Sequence, residues 1–170
     1  MSLEAFKERV LPAKDKLYRF ALKLVQNQDD AMDIVQDVLL KVWDDRERMS
    51  EVNNMEAWCM RMVRNLSYDR LKSSYSRKTD GMPDSFDVME KSSTPERKTE
   101  LNDAMTRIHA FIEELPEKQK QVIHLRDVEG FSYKEIGDIM EIDVNQVKVS
   151  LFRARKAVRE KFITIDLYGL

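Results

Sequence analysis

The segment 130–159 contains two short helical patterns joined by a turn, and this pairing constrains the fold more than any other feature of the chain. Ser132 followed by Glu135 forms a capping box, which predicts the start of the first helix. Asp143 predicts a cap of the same kind for the second helix, and Gly130 is suited to end the preceding helix. Such a helix-turn-helix lays one face of its second helix into a DNA major groove.

The second helix of this pair combines an apolar stripe with a cationic face. Val147, Leu151 and Ala154 repeat at the spacing of a buried helical stripe. Residues 144–161 contain six cations and one anion, a net charge of +5. This pattern predicts contacts with DNA phosphates. A basic helix that faces only solvent is the alternative interpretation.

Composition and one polar segment predict an all-α chain of two small helical domains, the C-terminal one carrying the helix-turn-helix. Only four glycines and four prolines occur among 170 residues, and 35% of the residues are charged. The segment 77–98 lacks helical periodicity, contains two of the prolines, and is predicted to be a flexible linker. The predicted domains are therefore residues 1–76 and 99–170. Fully extended, the 22 linker residues span roughly 75 Å.

Several classes of function are not supported by the sequence. The single cysteine, Cys59, excludes a disulfide framework and is typical of a reducing cytosol. His109 and His124 lack partners at metal-ligand spacing, and no glycine-rich loop suits a phosphate. We therefore expect no enzyme activity, no cofactor and no metal. No apolar run is long enough to cross a membrane and no signal peptide precedes the first helix, so we expect a cytoplasmic protein.

The predicted helix at 29–45 carries a leucine on its acidic side. Its apolar positions form one stripe, and Leu40 lies about 180° from the first of them, Ala31, at 100° per residue. Asp33, Asp37 and Asp44 surround Leu40 on that side. Residues 27–57 carry nine acids and three bases. We interpret Leu40 as an anchor for a basic partner protein, although single exposed leucines are common.

A third helix, predicted to run to about residue 74, carries the opposite charge. Residues 61–78 contain six cations and one anion. One broad face combines cations with an amide, an aromatic ring and a carboxylate: Arg61, Arg64, Asn65, Tyr68, Asp69 and Lys72. Such a face suits a nucleic-acid strand, through phosphate contacts, base-edge hydrogen bonds and stacking. A solvated basic helix is again the alternative interpretation.

The three surfaces, in this order, resemble the extracytoplasmic-function group of bacterial RNA polymerase sigma factors. The segment 30–43 resembles the family's polymerase-binding helix, and the segment 57–72 resembles its helix for the minus-ten promoter element. The segments 115–136 and 147–155 resemble its domain for the minus-thirty-five element. The likeness covers nearly the whole chain outside the predicted linker.

The resemblance implies a role for each surface. The acidic face would bind the clamp coiled coil of the largest subunit of core RNA polymerase, through Asp33, Gln36, Asp37, Leu40 and Asp44. The basic face of the third helix would hold unpaired minus-ten bases, together with the loop at 51–55, through Arg61, Arg64, Asn65, Tyr68, Asp69 and Lys72. The recognition face of the last helix would contact minus-thirty-five DNA through Asn145, Gln146, Lys148, Val149, Ser150, Arg153 and Lys156. An anti-sigma factor is an expected partner, and the chain is expected to be a monomer when no partner is bound.

The chain also departs from the family pattern. Glu141 stands where the turn usually has glycine, Gly137 replaces a usual alanine, and Val149 with Ser150 replaces a frequent Ser-Arg pair. The promoter sequence is therefore not predicted. Two other functions fit parts of the chain: a two-domain regulator that binds duplex DNA without polymerase, and an RNA-binding adaptor. The acidic face argues against the first, and the small number of aromatic stacking residues argues against the second.

Overall fold

The computed structural model describes residues 1–79 and 100–168, and every regular element in these ranges is a helix. The first range contains α1 (Leu3–Arg9), a 3₁₀ turn (Leu11–Ala13), α2 (Lys14–Val25), α3 (Gln28–Asp44), α4 (Arg46–Met49) and α5 (Met55–Thr79). The second contains α6 (Glu100–Glu113), α7 (Glu117–Ile123), one π-helical turn (His124–Val128), α8 (Tyr133–Met140) and α9 (Val144–Tyr168). The predicted all-α fold is confirmed.

The chain forms two compact units. The first unit consists of described residues in the range Met1–Asp84 together with Lys134–Ile142. The second unit consists of described residues in the ranges Ser85–Tyr133 and Asp143–Leu170. The segment 134–142, which holds most of α8, therefore groups with the N-terminal helices.

Helices α2, α3 and α5 pack against one another and form the core of the N-terminal helices. Phe20 of α2, Val38 of α3 and Val63 of α5 are all fully buried in it. The apolar stripe predicted for α3 is also buried at Ala31, Ile34, Val35, Val38 and Val42. Because these side chains occupy one side of α3, the acidic residues and Leu40 remain on the other.

Side-chain caps fix where the helices of this unit begin. Asn27 Oδ1 accepts a hydrogen bond of 2.9 Å from the Asp30 amide at the start of α3. Asn54 Oδ1 accepts one of 2.9 Å from the Ala57 amide, so Asn54 caps the start of α5. These bonds satisfy amides that have no partner within the helix.

Helix α5 is longer than the sequence predicts. It continues to Thr79, so residues 77–79 are helical instead of belonging to the linker. The remainder of the predicted linker, 80–98, lies outside the described residues. Sequence periodicity misses the end of α5 because residues 68–78 of this helix include no buried apolar position, and an exposed helical segment carries no stripe.

Cys59 lies in the buried side of α5 and is expected to be chemically inert. Burial, and secondly the negative charge of Glu56, raise the pKa of the Cys59 thiol to about 12. Because the thiolate is the reactive species, we expect iodoacetamide at pH 8 to modify the native chain at least about 100-fold more slowly than the urea-unfolded chain. Mass spectrometry of quenched samples measures both rates. Equal rates in the two states would show that the thiol is accessible.

In the second unit, α9 packs against α6 and α7. Val147, Leu151 and Ala154 of α9 are buried, as their spacing predicts. Gly130 closes the π-helical turn with φ +78°, the left-handed conformation predicted for a residue that ends a helix. The Gln146 amide donates a 2.8 Å hydrogen bond to Asp143 Oδ1, so Asp143 caps α9 as predicted.

The turn between α8 and α9 carries the departure noted at Glu141. This residue has φ +58°, in the left-handed region that glycine adopts without steric cost. A glutamate there costs about 1 kcal/mol of backbone strain. The backbone thus keeps a conformation suited to glycine although the side chain has changed.

Candidate nucleic-acid and protein interfaces

The acidic face of α3 is exposed along its whole length. The five residues assigned to it by resemblance are all exposed: Asp33, Gln36, Asp37, Leu40 and Asp44. Leu40 has 60% of its surface accessible, and it follows the buried Val38 by two positions. The core therefore holds the helix in place while Leu40 points away from it, as an anchor for a partner requires.

One ion pair links the acidic face to α5, and sequence periodicity did not find it. The Arg70 guanidinium donates to Asp30 at 2.8 Å and lies 3.8 Å from Asp33. Opposite charges 40 residues apart give no pattern along the chain, so only the packing of α3 on α5 brings them together. Arg70 neutralises part of the negative charge at this end of α3, whereas Asp37 and Asp44 lie farther along the helix.

The basic face of α5 combines exposed polar groups with a half-buried ring. Arg61, Asn65, Asp69 and Lys72 are exposed, whereas Arg64 and Tyr68 are half-buried. The Arg64 guanidinium lies over the Tyr68 ring, 4.8 Å from its centroid. This cation–π contact holds a planar cation and an aromatic ring together in orientations that can receive a base.

The recognition face of α9 is exposed at six of the seven residues assigned to it. These residues are Asn145, Gln146, Lys148, Val149, Arg153 and Lys156. Val149 is 46% exposed and Phe152, which lies on the same side, is 68% exposed. These two exposed apolar groups among cations suit contacts with the methyl and edge groups of bases.

Ser150 is the exception and corrects the assignment made by resemblance. It is only 7% exposed, so its side chain faces the interior of the unit. Position 150 lies about 60° from Val147 and about 40° from Ala154 around the helix, directly beside the arc that Val147, Leu151 and Ala154 bury. Ser150 is therefore removed from the residues that could reach DNA.

Arg155 is also diverted from the cationic surface. Its guanidinium donates two hydrogen bonds to the Asp127 carboxylate, at 3.1 and 2.5 Å. The hydrogen bond to Asp127 is the main reason that the pKa of Arg155 is raised above its ordinary value. Arg155 thus ties α9 to the π-helical turn, and the charge count from sequence overestimated the cations available to DNA.

Neighbouring side chains orient two residues of the recognition face, Lys148 and Gln146. Lys148 Nζ lies 6.0 Å from the centroid of the Tyr133 ring, and the Arg126 guanidinium lies 4.8 Å from the same centroid. Lys118 Nζ lies 3.5 Å from Gln146 Oε1. These neighbours restrict the side chains of Lys148 and Gln146 before any ligand arrives.

Within residues 1–79 and 100–168, no three or more His, Cys, Asp or Glu residues form a group that could hold a metal ion. None of the helices described combines the length and apolar character needed to span a bilayer. His109 is exposed, and His124 is buried with its Nε2 3.4 Å from Glu129 Oε1.

Two family models match the chain, one on each side of the predicted linker. Residues 11–77 match sigma-70 region 2, and residues 105–158 match sigma-70 region 4. The first match contains the acidic face of α3 and the basic face of α5. The second contains the recognition face of α9.

Curated relatives resemble the chain over most of its length. The RNA polymerase sigma factor SigV of Bacillus subtilis is 30% identical over 155 residues, which cover 91% of this chain and 89% of that protein. The ECF RNA polymerase sigma factor SigW of the same organism is 26% identical, covering 93% and 89%. SigE of Mycolicibacterium smegmatis is 26% identical, and the match covers 94% of this chain but 62% of that longer protein.

Solved structures share the fold. The sigma factor RpoE of Bartonella quintana, in complex with the anti-sigma factor NepR, is 25% identical with a TM-score of 0.69, covering 93% of this chain and 96% of that one. CnrH in complex with the cytosolic domain of CnrY is 18% identical with a TM-score of 0.64, covering 96% and 90%. Together, the two sigma-70 regions and these relatives establish that the chain belongs to the extracytoplasmic-function group of RNA polymerase sigma factors.

Proposed function

We propose that this chain binds core RNA polymerase and promoter DNA at the same time and thereby directs transcription initiation. The observation that carries the proposal is the exposure of three chemically distinct helix faces, one acidic with a leucine anchor and two cationic. Each face lies opposite a buried stripe of the same helix, so partner binding requires no change in the core. The regulator alternative explains the recognition face but leaves the acidic face without a role.

The acidic face is the proposed polymerase contact. Leu40 supplies apolar area, and Asp37 and Asp44 supply negative charge around it. Such an arrangement fits a partner surface with a small apolar depression and a basic rim, in which the leucine carries the affinity and the charges guide the encounter. The clamp coiled coil of the largest polymerase subunit is the proposed partner surface.

The basic face of α5 is the proposed contact for the unpaired minus-ten strand. Lys72 is suited to phosphates, and so is Arg61 when its ion pair with Glu141 opens, whereas Asn65 and Asp69 can hydrogen-bond base edges. Arg64 and Tyr68 add a planar pair on which a base can stack. Bases held in this way cannot re-pair, so their capture favours the melted promoter.

The recognition face of α9, without Ser150, is the proposed contact for the minus-thirty-five duplex. Arg153 and Lys156 are exposed and positively charged, as major-groove and phosphate contacts require. Only about four or five phosphate contacts are available per unit. We therefore expect each unit, without polymerase, to bind duplex DNA with a shallow salt dependence, with a slope near −4 per unit.

The action proposed for this chain involves no covalent step and no cofactor. Binding energy alone brings polymerase to the promoter, so the chain is proposed not to be an enzyme. We also propose a cytoplasmic location and regulation by an anti-sigma factor, by analogy with the Bartonella RpoE complex. An inhibitor that covers any one of the three faces would block the proposed function.

The proposed function is tested by transcription from a promoter library. Purified core polymerase is incubated with the library in the presence or absence of the full chain, and transcript 5′ ends are sequenced. We expect the chain to produce a set of start sites, preceded by two shared sequence elements, that core polymerase alone does not produce. Identical start sites with and without the chain would contradict the proposal.

Val149 is expected to contribute to the choice of promoter. A valine that is 46% exposed on the recognition face can contact the methyl group of a thymine. The Val149→Ala variant should reduce discrimination at one minus-thirty-five position by about fivefold to tenfold, because it removes an apolar contact without a charge. Sequencing transcripts of the variant from the same library measures this. An unchanged preference at every minus-thirty-five position would contradict a thymine contact.

A further inference from the structure

The last two turns of α5 leave the core, yet they keep a regular helix. Side chains from Leu71 to Lys78, here called the distal segment, are exposed except for the half-buried Ser74. The distal segment contains three cations and no acid. Arg77 and Lys78 suit the negative end of the helix dipole, so their charge alone needs no ligand.

The helix dipole that accounts for Arg77 and Lys78 does not account for the exposed aromatic side chain of Tyr75. It is 73% exposed, so most of its ring surface is accessible to a ligand. A single exposed tyrosine is common on protein surfaces. Its position relative to the basic face is what distinguishes Tyr75.

Tyr75 continues the basic face as the next aromatic residue in a ladder. At 100° per residue, Arg64, Tyr68, Lys72 and Tyr75 fall within an arc of about 80° on α5. Cation and aromatic ring alternate along this arc, and the first pair is already in contact at 4.8 Å. The two rings, seven residues apart, are separated by about 10 Å along the helix axis. That separation corresponds to about three base steps of one DNA strand.

We propose that Tyr75 is a second stacking site for a base of single-stranded DNA, and that Lys72, Arg77 and Lys78 hold the phosphates beside it. The site extends the basic face, so it rests on the proposed minus-ten contact. Charge complementarity supports this occupant, because a polyanion is attracted to a segment whose sequence contains three cations and no acid. Stacking is tolerant of sequence, since every base presents a π-face. Tyr75 would therefore add affinity for the melted strand without choosing its sequence.

Direct binding of the full chain to oligonucleotides tests this site. The probes are a fluorescein-labelled 20-nucleotide oligo(dT) and a duplex of the same length, both at low salt, followed by fluorescence anisotropy. We expect Tyr75→Ala to weaken single-strand binding about tenfold and duplex binding by less than twofold. Tyr75→Phe, which keeps the ring, should bind both probes like the wild type. An oligo(dT) probe carrying 5-iodouracil should also photocrosslink to Tyr75.

Three results would overturn the stacking site. The first is that Tyr75→Ala binds the single-stranded probe with the affinity of the wild type. Another is an equal loss on both probes, which would indicate a general effect on charge or structure. The third is an equal loss in Tyr75→Phe, which would assign the effect to the hydroxyl. Circular dichroism of each variant controls for folding. The binding assay needs no polymerase, so its result is independent of the transcription assay. If the chain directs initiation but Tyr75→Ala binds oligo(dT) like the wild type, only the stacking site is contradicted. If the Tyr75 variants behave as expected but the chain produces no start sites, the proposed function is contradicted.

Discussion

Replacing Leu40 with aspartate is expected to weaken binding to core RNA polymerase by at least about 30-fold. Truncation of a central apolar anchor commonly costs about 2 kcal/mol or more, which corresponds to this factor. The new carboxylate also has no apolar contact to offer at that position. Because Leu40 is 60% exposed on α3, the substitution should leave the free energy of unfolding nearly unchanged.

Met32 provides the matched control on the same helix. It is also an apolar residue of α3, it is 45% exposed, and it lies outside the acidic face. The Met32→Asp variant should bind core polymerase within about twofold of the wild type. Surface plasmon resonance with immobilised core polymerase compares the three proteins. Equal losses of affinity for both variants would mean that the added charge, and not the loss of the leucine, weakens binding. Wild-type affinity in Leu40→Asp would show that Leu40 is not an anchor for polymerase.

Arg153 and Arg155 are expected to separate DNA binding from stability, although they lie two positions apart. Arg153 is exposed on the recognition face, whereas Arg155 donates two hydrogen bonds to Asp127. We expect Arg153→Ala to lower affinity for the minus-thirty-five duplex by about fivefold to 100-fold, as loss of a base or phosphate contact does. Arg155→Ala should change this affinity by less than about threefold.

The two variants should rank in the opposite order in their effects on the free energy of unfolding. Arg155→Ala removes a bidentate ion pair that solvent partly screens, so a loss of about 0.5–1 kcal/mol in the free energy of unfolding is expected. Arg153→Ala should leave it unchanged. Urea denaturation followed by circular dichroism measures the free energy of unfolding. Affinity for DNA is measured with the chain bound to polymerase, on promoters selected from the library. If Arg155→Ala instead caused the larger loss of DNA binding with unchanged stability, the assignment of the two arginines would be wrong.

The helices were predictable wherever one of their sides is buried. Val38 and Val42 of α3, and Val147 and Leu151 of α9, repeat at helical spacing because they pack against neighbouring helices. The same repeats determine which residues remain outside. Leu40 and Val149 were therefore correctly predicted to be exposed, and Asp143 was correctly predicted to cap its helix.

Periodicity could not predict features that depend on contacts between helices. The pairing of Arg155 with Asp127 and of Arg70 with Asp30 joins residues 28 and 40 positions apart, and neither pair leaves a local pattern. The burial of Ser150 was missed for a different reason. Its role was transferred from the family pattern, whereas its angle around α9, about 40° from the buried Ala154, placed it beside the buried arc.

A mixture of the full chain with purified core RNA polymerase, weighed molecule by molecule by mass photometry at mild ionic strength, tests the central claim most directly. The account predicts that one chain adds its 20.1 kDa to each polymerase and that the Leu40→Asp variant fails to do so at the same concentration. Core polymerase whose mass stays unchanged at saturating concentrations of the wild-type chain would contradict the account.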